Sequence, residues 1–339
     1  MEIKELDKEI SSNKIRNIYF FYGEETFLLD SKVLSIKKKL IAPDFADFNV
    51  MSVDGKTGLS AFSDFINSYP FMSEKKLLII KDSGLFSGNK GSEMQELKEL
   101  CAFPPEYLHI IFVEKDFDKK KESTIKFIED NGAIVRFDRL SPTQIENWLE
   151  KMFEKQEKRI TPKALSNMVA RTGGSLTAAY NEFQKLLAYV GERADITPED
   201  VDNVVSKSVE FMVYELFDKI VESRNRTVMT ELKLLCDKRD KKDTPQRVYS
   251  ILLGAVSELL MVKQLKADGL SAEEISGYYE RKVPLFVVNK AIKQSKKFEE
   301  DFLAEVFRKG TMYDLYTKSG KMDIETALQL FVTELLVTE

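Results

Sequence analysis

Short, unbroken apolar runs alternate with amphipathic stretches through the first part of the chain. Ile18-Tyr19-Phe20-Phe21-Tyr22 is rich in β-forming residues and is closed by Gly23. Glu25-Thr26-Phe27-Leu28-Leu29 opens a helical pattern that continues through Leu40. Phe48 to Val53 predicts a second strand, and Leu59, Phe62, Ile66 and Tyr69 then fall at helical spacing before Pro70. Leu77 to Ile80, Leu108 to Val113 and Ala133 to Phe137 predict three more strands. Continuous apolar strands alternating with helices predict a parallel sheet covered on both faces.

After Leu140 the pattern becomes helical. Ser141-Pro142 is a helix start, with a hydroxyl to cap free amides and a proline suited to the first turn. Thr161-Pro162 and Thr197-Pro198 repeat that signature. Between them come Gly173-Gly174-Ser175-Leu176 and then Tyr180, Phe183, Leu186 and Leu187 at helical spacing. From Val209 onward only helices are predicted, with apolar stripes on Phe211 to Ile220, Ile251 to Leu265, Leu285 to Ser295, Phe298 to Phe307 and Ile324 to Leu336. The reading is α/β plus all-α, in three parts: an α/β domain over 1–140, a small helical domain over 141–208 and a larger helical domain over 209–339.

Composition narrows the function. With 51 basic and 56 acidic residues the net charge is −5. A dedicated nucleic-acid binder carries a basic excess, so contact with DNA is expected to be local or shared with partners. Cys101 and Cys236 cannot form a disulfide framework in a chain of 339 residues, which fits a reducing cytoplasm. Met1-Glu2-Ile3-Lys4-Glu5 has no apolar signal core, and no uninterrupted run of about 18 apolar residues occurs, so no membrane association is expected. The single histidine, His109, lies inside a strand-like run and reads as a core or edge residue. No set of ligands converges on it, so no metal is expected.

Missing chemistry decides more. An α/β domain followed by a small helical lid is the layout of a nucleotide-driven motor module, which needs G-x-x-x-x-G-K-[ST] between its first strand and helix. Gly55-Lys56-Thr57 ends like that motif, but Val50 occupies the place of its first glycine, and the tripeptide follows the second strand. A plain turn explains it. In the required place stands Gly23-Glu24-Glu25-Thr26, with two carboxylates and no lysine. Leu77 to Ile80 runs into Lys81-Asp82, without the acidic pair that would hold magnesium. No Gly-x-Ser-x-Gly elbow is present. Neither a catalytic set nor a cofactor is expected.

The stretches Tyr19 to Leu28, Phe48-Asn49, Asp54-Gly55, Pro70 to Leu77, Gly173 to Leu176, Asn181 to Leu186, Phe286 to Ala291 and Lys318-Ser319-Gly320 together resemble the delta-subunit family of the bacterial DNA polymerase III clamp loader. The likeness spans nearly the whole chain and rests on the order of the segments. Two departures are Ser175, where an acidic residue is usual, and the more heavily charged, longer stretch from Leu232 to Val248. The resemblance implies an ATPase-like (AAA+ type) domain without a phosphate loop, a helical lid and a C-terminal helical collar. It also implies a protein of DNA replication that does not hydrolyse ATP. Its partners would be the sliding clamp, which it would open, and ATPase and delta-prime type subunits in a five-membered ring acting on primed DNA.

The family's clamp-binding tip aligns with Pro70-Phe71, which makes Tyr69, Pro70, Phe71 and Met72 the clamp-binding candidates. Proline disfavours helix at the preceding residue, so Phe71 and Met72 follow the helix end and precede polar Ser73-Glu74-Lys75-Lys76. A rigid aromatic beside an adaptable methionine suits insertion into a partner's pocket. On residue type alone the same pair reads as core folded back onto the sheet. Lys290, Lys293 and Lys297 share one helical face and are candidates for DNA contact, as is the cluster Lys238, Arg239, Lys241, Lys242 and Arg247. For both, a solvated face is the commoner outcome. Two other functions stay open: an active ATPase motor subunit, against which stands the absent phosphate loop, and a stand-alone DNA-binding adaptor, against which stands the net charge.

Overall fold

The computed structural model describes residues 1–54, 63–83, 104–115, 122–223, 227–237, 244–279 and 283–337. They form two compact units, Met1–Ile145 and Glu146–Glu339.

The first unit is built on a five-stranded sheet. Its strands are β1 (Ile18–Tyr22), β2 (Val50–Asp54), β3 (Lys76–Lys81), β4 (Leu108–Glu114) and β5 (Ala133–Arg136), in the order β2-β3-β4-β1-β5. Every pairing is parallel. Residues of β1, β3 and β4 are buried almost without interruption, which is why their sequences read as apolar runs and do not alternate. Among the described residues, helices α1 (Ile3–Ser11), α2 (Thr26–Leu40), the short α3 (Ala46–Asn49), α4 (Ser63–Asn67) and α5 (Glu122–Asn131) accompany the sheet. The chain leaves β1 towards the β2 edge, but leaves β4 past β1 towards β5. The carboxyl ends of β1 and β4 therefore flank a topological switch point, the position where open α/β sheets bind ligands.

The second strand begins at Val50, not at Phe48. Phe48 and Asn49 end helix α3, and β2 pairs with β3 only from Val50, opposite Leu77. The helix before Pro70 ends at Asn67, so Ile66 is buried whereas Tyr69 is not on the buried face. Leu59, Phe62 and Gly55-Lys56-Thr57 lie outside the described residues. His109 is a core residue of β4 with its Nδ1 2.9 Å from the Arg16 carbonyl. That acceptor fixes the proton on Nδ1, and burial pushes the imidazole's pKa down.

The second unit is helical. Its segments are α6 (Pro142–Lys155), α7 (Pro162–Arg171), α8 (Leu176–Val190) and α9 (Pro198–Val204), of which α6, α7 and α9 start where the caps predict. Thr161, Ser175 and Thr197 accept the amides of Ala164, Ala178 and Asp200, and Thr197 and Asp200 form a reciprocal capping box. Two-residue strands β6 (Arg159–Ile160) and β7 (Asp195–Ile196) pair here, a link too short for periodicity to reveal.

Helices α10 (Val209–Ser223), α11 (Thr227–Cys236), α12 (Thr244–Ala267), α13 (Ala272–Ser276), α14 (Leu285–Ser295), α15 (Glu300–Lys318) and α16 (Ile324–Leu336) share one apolar core around Leu216, Tyr249, Leu252, Val256, Leu303 and Phe331. Helix α12 is long and apolar enough to cross a membrane by length and composition. Its Val248, Leu252, Val256, Leu259 and Val262 are buried in that core, and a central bundle helix meets the same criterion. Cys236 is a free thiol whose pKa burial pushes up to about 11. Cys101 and the charged Lys238 to Asp243 lie outside the described residues.

Candidate functional site

The β1–α2 turn, where a phosphate loop would lie, is folded against its own chain. Gly23 has φ +133°, and a Cβ there would stand 2.2 Å from the Phe137 carbonyl oxygen, so only glycine permits this packing. The Glu25 amide donates to that same carbonyl at 3.0 Å, and the Phe137 amide donates to the Tyr22 carbonyl at 2.8 Å. Glu25 is buried beside the first turn of α2. Burial pushes its carboxyl pKa up, opposed by the Leu140 amide, Arg139 and the Phe27 amide. Arg139 itself pairs with Glu24 at 3.2 Å. Across the switch point β4 ends in buried Glu114, whose Oε1 accepts the Ser83 amide at 2.8 Å and also the Ser83 hydroxyl. Carboxylates thus stand where a nucleotide's phosphates would need cations and free amides.

The segment after α4 has the opposite character. Tyr69 is 83%, Phe71 52% and Met72 71% exposed, while Pro70 is half-buried. The pair Phe71 and Met72 therefore stands at the surface and is not packed as core. The backbone beneath them is held firmly. Lys76, at the start of β3, is buried, and its ammonium donates to the carbonyls of Phe65 and Ser68 (3.0 Å for the latter) and to the Ser68 hydroxyl at 2.8 Å. It also lies 4.0 Å from the centroid of the Phe65 ring. A cation on the last carbonyls is the favourable partner for a helix C-terminus, and α4 ends at Asn67, ahead of Pro70.

Two further contacts fix the turn. Fully buried Asn49 accepts the Phe71 amide through Oδ1 at 2.8 Å, and through Nδ2 donates to the Phe71 carbonyl at 2.8 Å and the Phe45 carbonyl at 3.0 Å. The Phe48 and Phe71 rings lie 4.8 Å apart, and those of Tyr69 and Tyr107 5.5 Å apart. Met72 has φ +47°, a left-handed conformation that costs a side-chain-bearing residue about 1–2 kcal/mol and so needs such support.

The basic candidates are more ordinary. Lys290 pairs with Asp218 at 2.7 Å, and Gln294 donates to the same carboxylate at 2.8 Å. Lys293 is exposed on α14, whereas Lys297 lies beyond the end of that helix. Arg247 pairs with Glu210. Lys238, Arg239, Lys241 and Lys242 lie outside the described residues.

The family model for the DNA polymerase III delta subunit matches residues 19–138, and that for the delta subunit's C-terminal domain matches residues 210–335. The chain belongs to the DNA polymerase III delta-subunit family. The Bacillus subtilis DNA polymerase III subunit delta is 26% identical over 338 residues, covering 97% of this chain and 95% of that protein. The probable Aquifex aeolicus subunit delta is 24% identical over 262 residues, covering 74% and 72%. The solved Bacillus subtilis DNA clamp loader delta protein shares the fold, with a TM-score of 0.60 and 24% identity over 98% of this chain and 99% of that one. This member of the delta family is thus a component of a DNA polymerase III holoenzyme and acts in DNA replication.

Sequence reasoning places Phe71 and Met72 beyond a helix end but misses what holds them there. It assigns Phe48 to a strand, gives Asn49 no role, and reads Lys76 only as a polar flank. The available signal is a large aromatic beside an amide residue just before a strand, a pattern too common to interpret alone.

Proposed function

We propose that this delta-family protein is the clamp-loader subunit that grips and opens the sliding clamp without binding or hydrolysing ATP. The observation that carries this reading is the apolar pair Phe71 and Met72, displayed past a capped helix end on a pinned backbone. Large apolar side chains presented rigidly suit insertion into a partner's pocket. The carboxylate-lined β1–α2 turn supports the non-hydrolysing role, because Glu24 and Glu25 would repel phosphates. In this reading 1–140 is the degenerate ATPase-like domain with the tip Tyr69, Pro70, Phe71 and Met72, 141–208 is the lid and 209–339 is the collar. The collar would join ATPase and delta-prime type subunits in a five-membered ring that receives primed DNA, with Lys290, Lys293 and Lys297 as its DNA-facing candidates.

The test is titration of the full chain with purified sliding clamp from the same organism by calorimetry, with and without saturating ATP. We expect one complex of equal affinity in both conditions, and no ATP-dependent rise in thermal midpoint, since a ligand that binds the folded state must stabilise it. Failure to form a complex, or a complex that requires ATP, would overturn the reading.

A further inference from the structure

Phe48 is a large aromatic, 61% exposed, at the end of helix α3 and close to the clamp-docking tip in space though not in sequence. Its ring lies against that of Phe71 at a centroid distance of 4.8 Å, tilted by 44°. The next residue, Asn49, is fully buried and spends its whole amide group on backbone. Oδ1 takes the Phe71 N–H, and the two Nδ2 hydrogens reach the carbonyls of Phe71 and Phe45. Only this orientation of the amide satisfies all three partners. Towards Phe71 the side chain behaves as a neighbouring strand would, closing a two-bond pairing with one residue's N–H and C=O.

The consequence is mechanical. The peptides on both sides of Phe71 are held to the end of α3, directly before a residue in the left-handed region. That conformation persists only where the surroundings over-determine it. Phe48 and Asn49 therefore act as a pair, one continuing the apolar surface and the other fixing the backbone that carries the rest of it.

We propose that Phe48 is a third anchor of the surface that docks on the sliding clamp, and that Asn49 is a positioning residue that holds the Phe71 ring against Phe48 and fixes the backbone leading into Met72. The occupant is an apolar pocket of the clamp wide enough for two tilted aromatic rings and a methionine. This rests on the clamp-docking reading of Phe71 and Met72, with which Phe48 is continuous. Preformation matters because a face already ordered before contact does not lose that freedom on binding.

Full-length wild type and the variants F48A, N49A, N49D, F71A, N49A/F71A and F71A/M72A are titrated with purified clamp, each well below its own thermal midpoint. F48A is expected to weaken binding about tenfold, as for a central aromatic anchor. N49A is expected to weaken it to a similar degree, and N49D likewise, because aspartate keeps the acceptor for the Phe71 N–H but loses both donors. The readout that a merely structural role would not move is the coupling: the N49A effect should be smaller in the F71A background, by the part that acts through the Phe71 side chain, since residues acting through one contact are not additive. F48A affinity equal to wild type, with F71A/M72A weakened, overturns the third anchor and leaves the clamp-docking reading standing. An N49A loss that is the same in both backgrounds overturns the positioning role. If F71A/M72A binds as wild type does, the clamp-docking reading itself is wrong. If N49A does not fold, F48A at the exposed position still decides whether this surface belongs to the docking face.

Discussion

Replacing Phe71 and Met72 together by alanine should weaken clamp binding and leave the fold intact, and the size of the loss follows from how much of each side chain is still uncovered. Complete burial of a Phe or Met side chain is worth about 1.5–3 kcal/mol. Phe71 is 52% and Met72 71% exposed, so a docking pocket has roughly 2–4 kcal/mol left to gain from the pair. Alanine retains Cβ, which trims the loss to about 1.5–3 kcal/mol, or about 10- to 150-fold in Kd. The folding side is different. No fully buried side chain is removed, and the Asn49 pairing to the Phe71 backbone needs no side chain at residue 71. What the fold loses is the covered part of the two side chains, roughly 1–2 kcal/mol, and the Phe48–Phe71 ring contact, worth about 0.5–1.5 kcal/mol. Clamp affinity by calorimetry and stability by urea titration separate the two effects. Unchanged affinity with stability lowered by about 5 kcal/mol or more would mean the pair is core, since that is the cost of emptying two buried sites.

Two further outcomes follow from the same geometry. Lys76→Met keeps a similar volume but leaves the Phe65 carbonyl, the Ser68 carbonyl and the Ser68 hydroxyl without their shared donor. Urea titration should then show about 1–3 kcal/mol of lost stability, and a change below about 0.5 kcal/mol would refute the capping role. Glu25→Gln tests the sealed β1–α2 turn through pH. Burial raises the folded carboxyl pKa above its unfolded value, so the contribution of Glu25 to stability is largest below the unfolded pKa and declines as pH rises through the folded one. The substituted amide does not titrate, so the variant should gain on wild type between acid and neutral pH, and parallel stability profiles would contradict the buried-carboxyl account.

Elements whose causes are local are legible in the residue order. Apolar runs such as Leu77 to Ile80 mark strands buried on both faces, and the hydroxyl–proline pairs at Ser141, Thr161 and Thr197 mark helix starts, because period and capping act within a few residues. The absence of a phosphate-binding lysine after Tyr22 is likewise plain from the chain. The order of residues also sets Phe71 and Met72 beyond a proline, but leaves open whether they face the sheet or the solvent.

Whatever depends on distant partners is set by the packing of the folded chain. Phe48-Asn49 has a strand-like composition, yet β3 offers pairing only from Val50, and the Asn49 side chain bonds instead to a backbone 22 residues away. Tyr69 continues a helical stripe by spacing, but α4 ends at Asn67, where the Lys76 ammonium takes up the carbonyls of Phe65 and Ser68. Lys290 has the sequence look of a free phosphate contact and is paired with Asp218, 72 residues earlier. In each case periodicity records what one segment can bury, whereas hydrogen bonds and ion pairs between segments determine which groups remain at the surface for a partner.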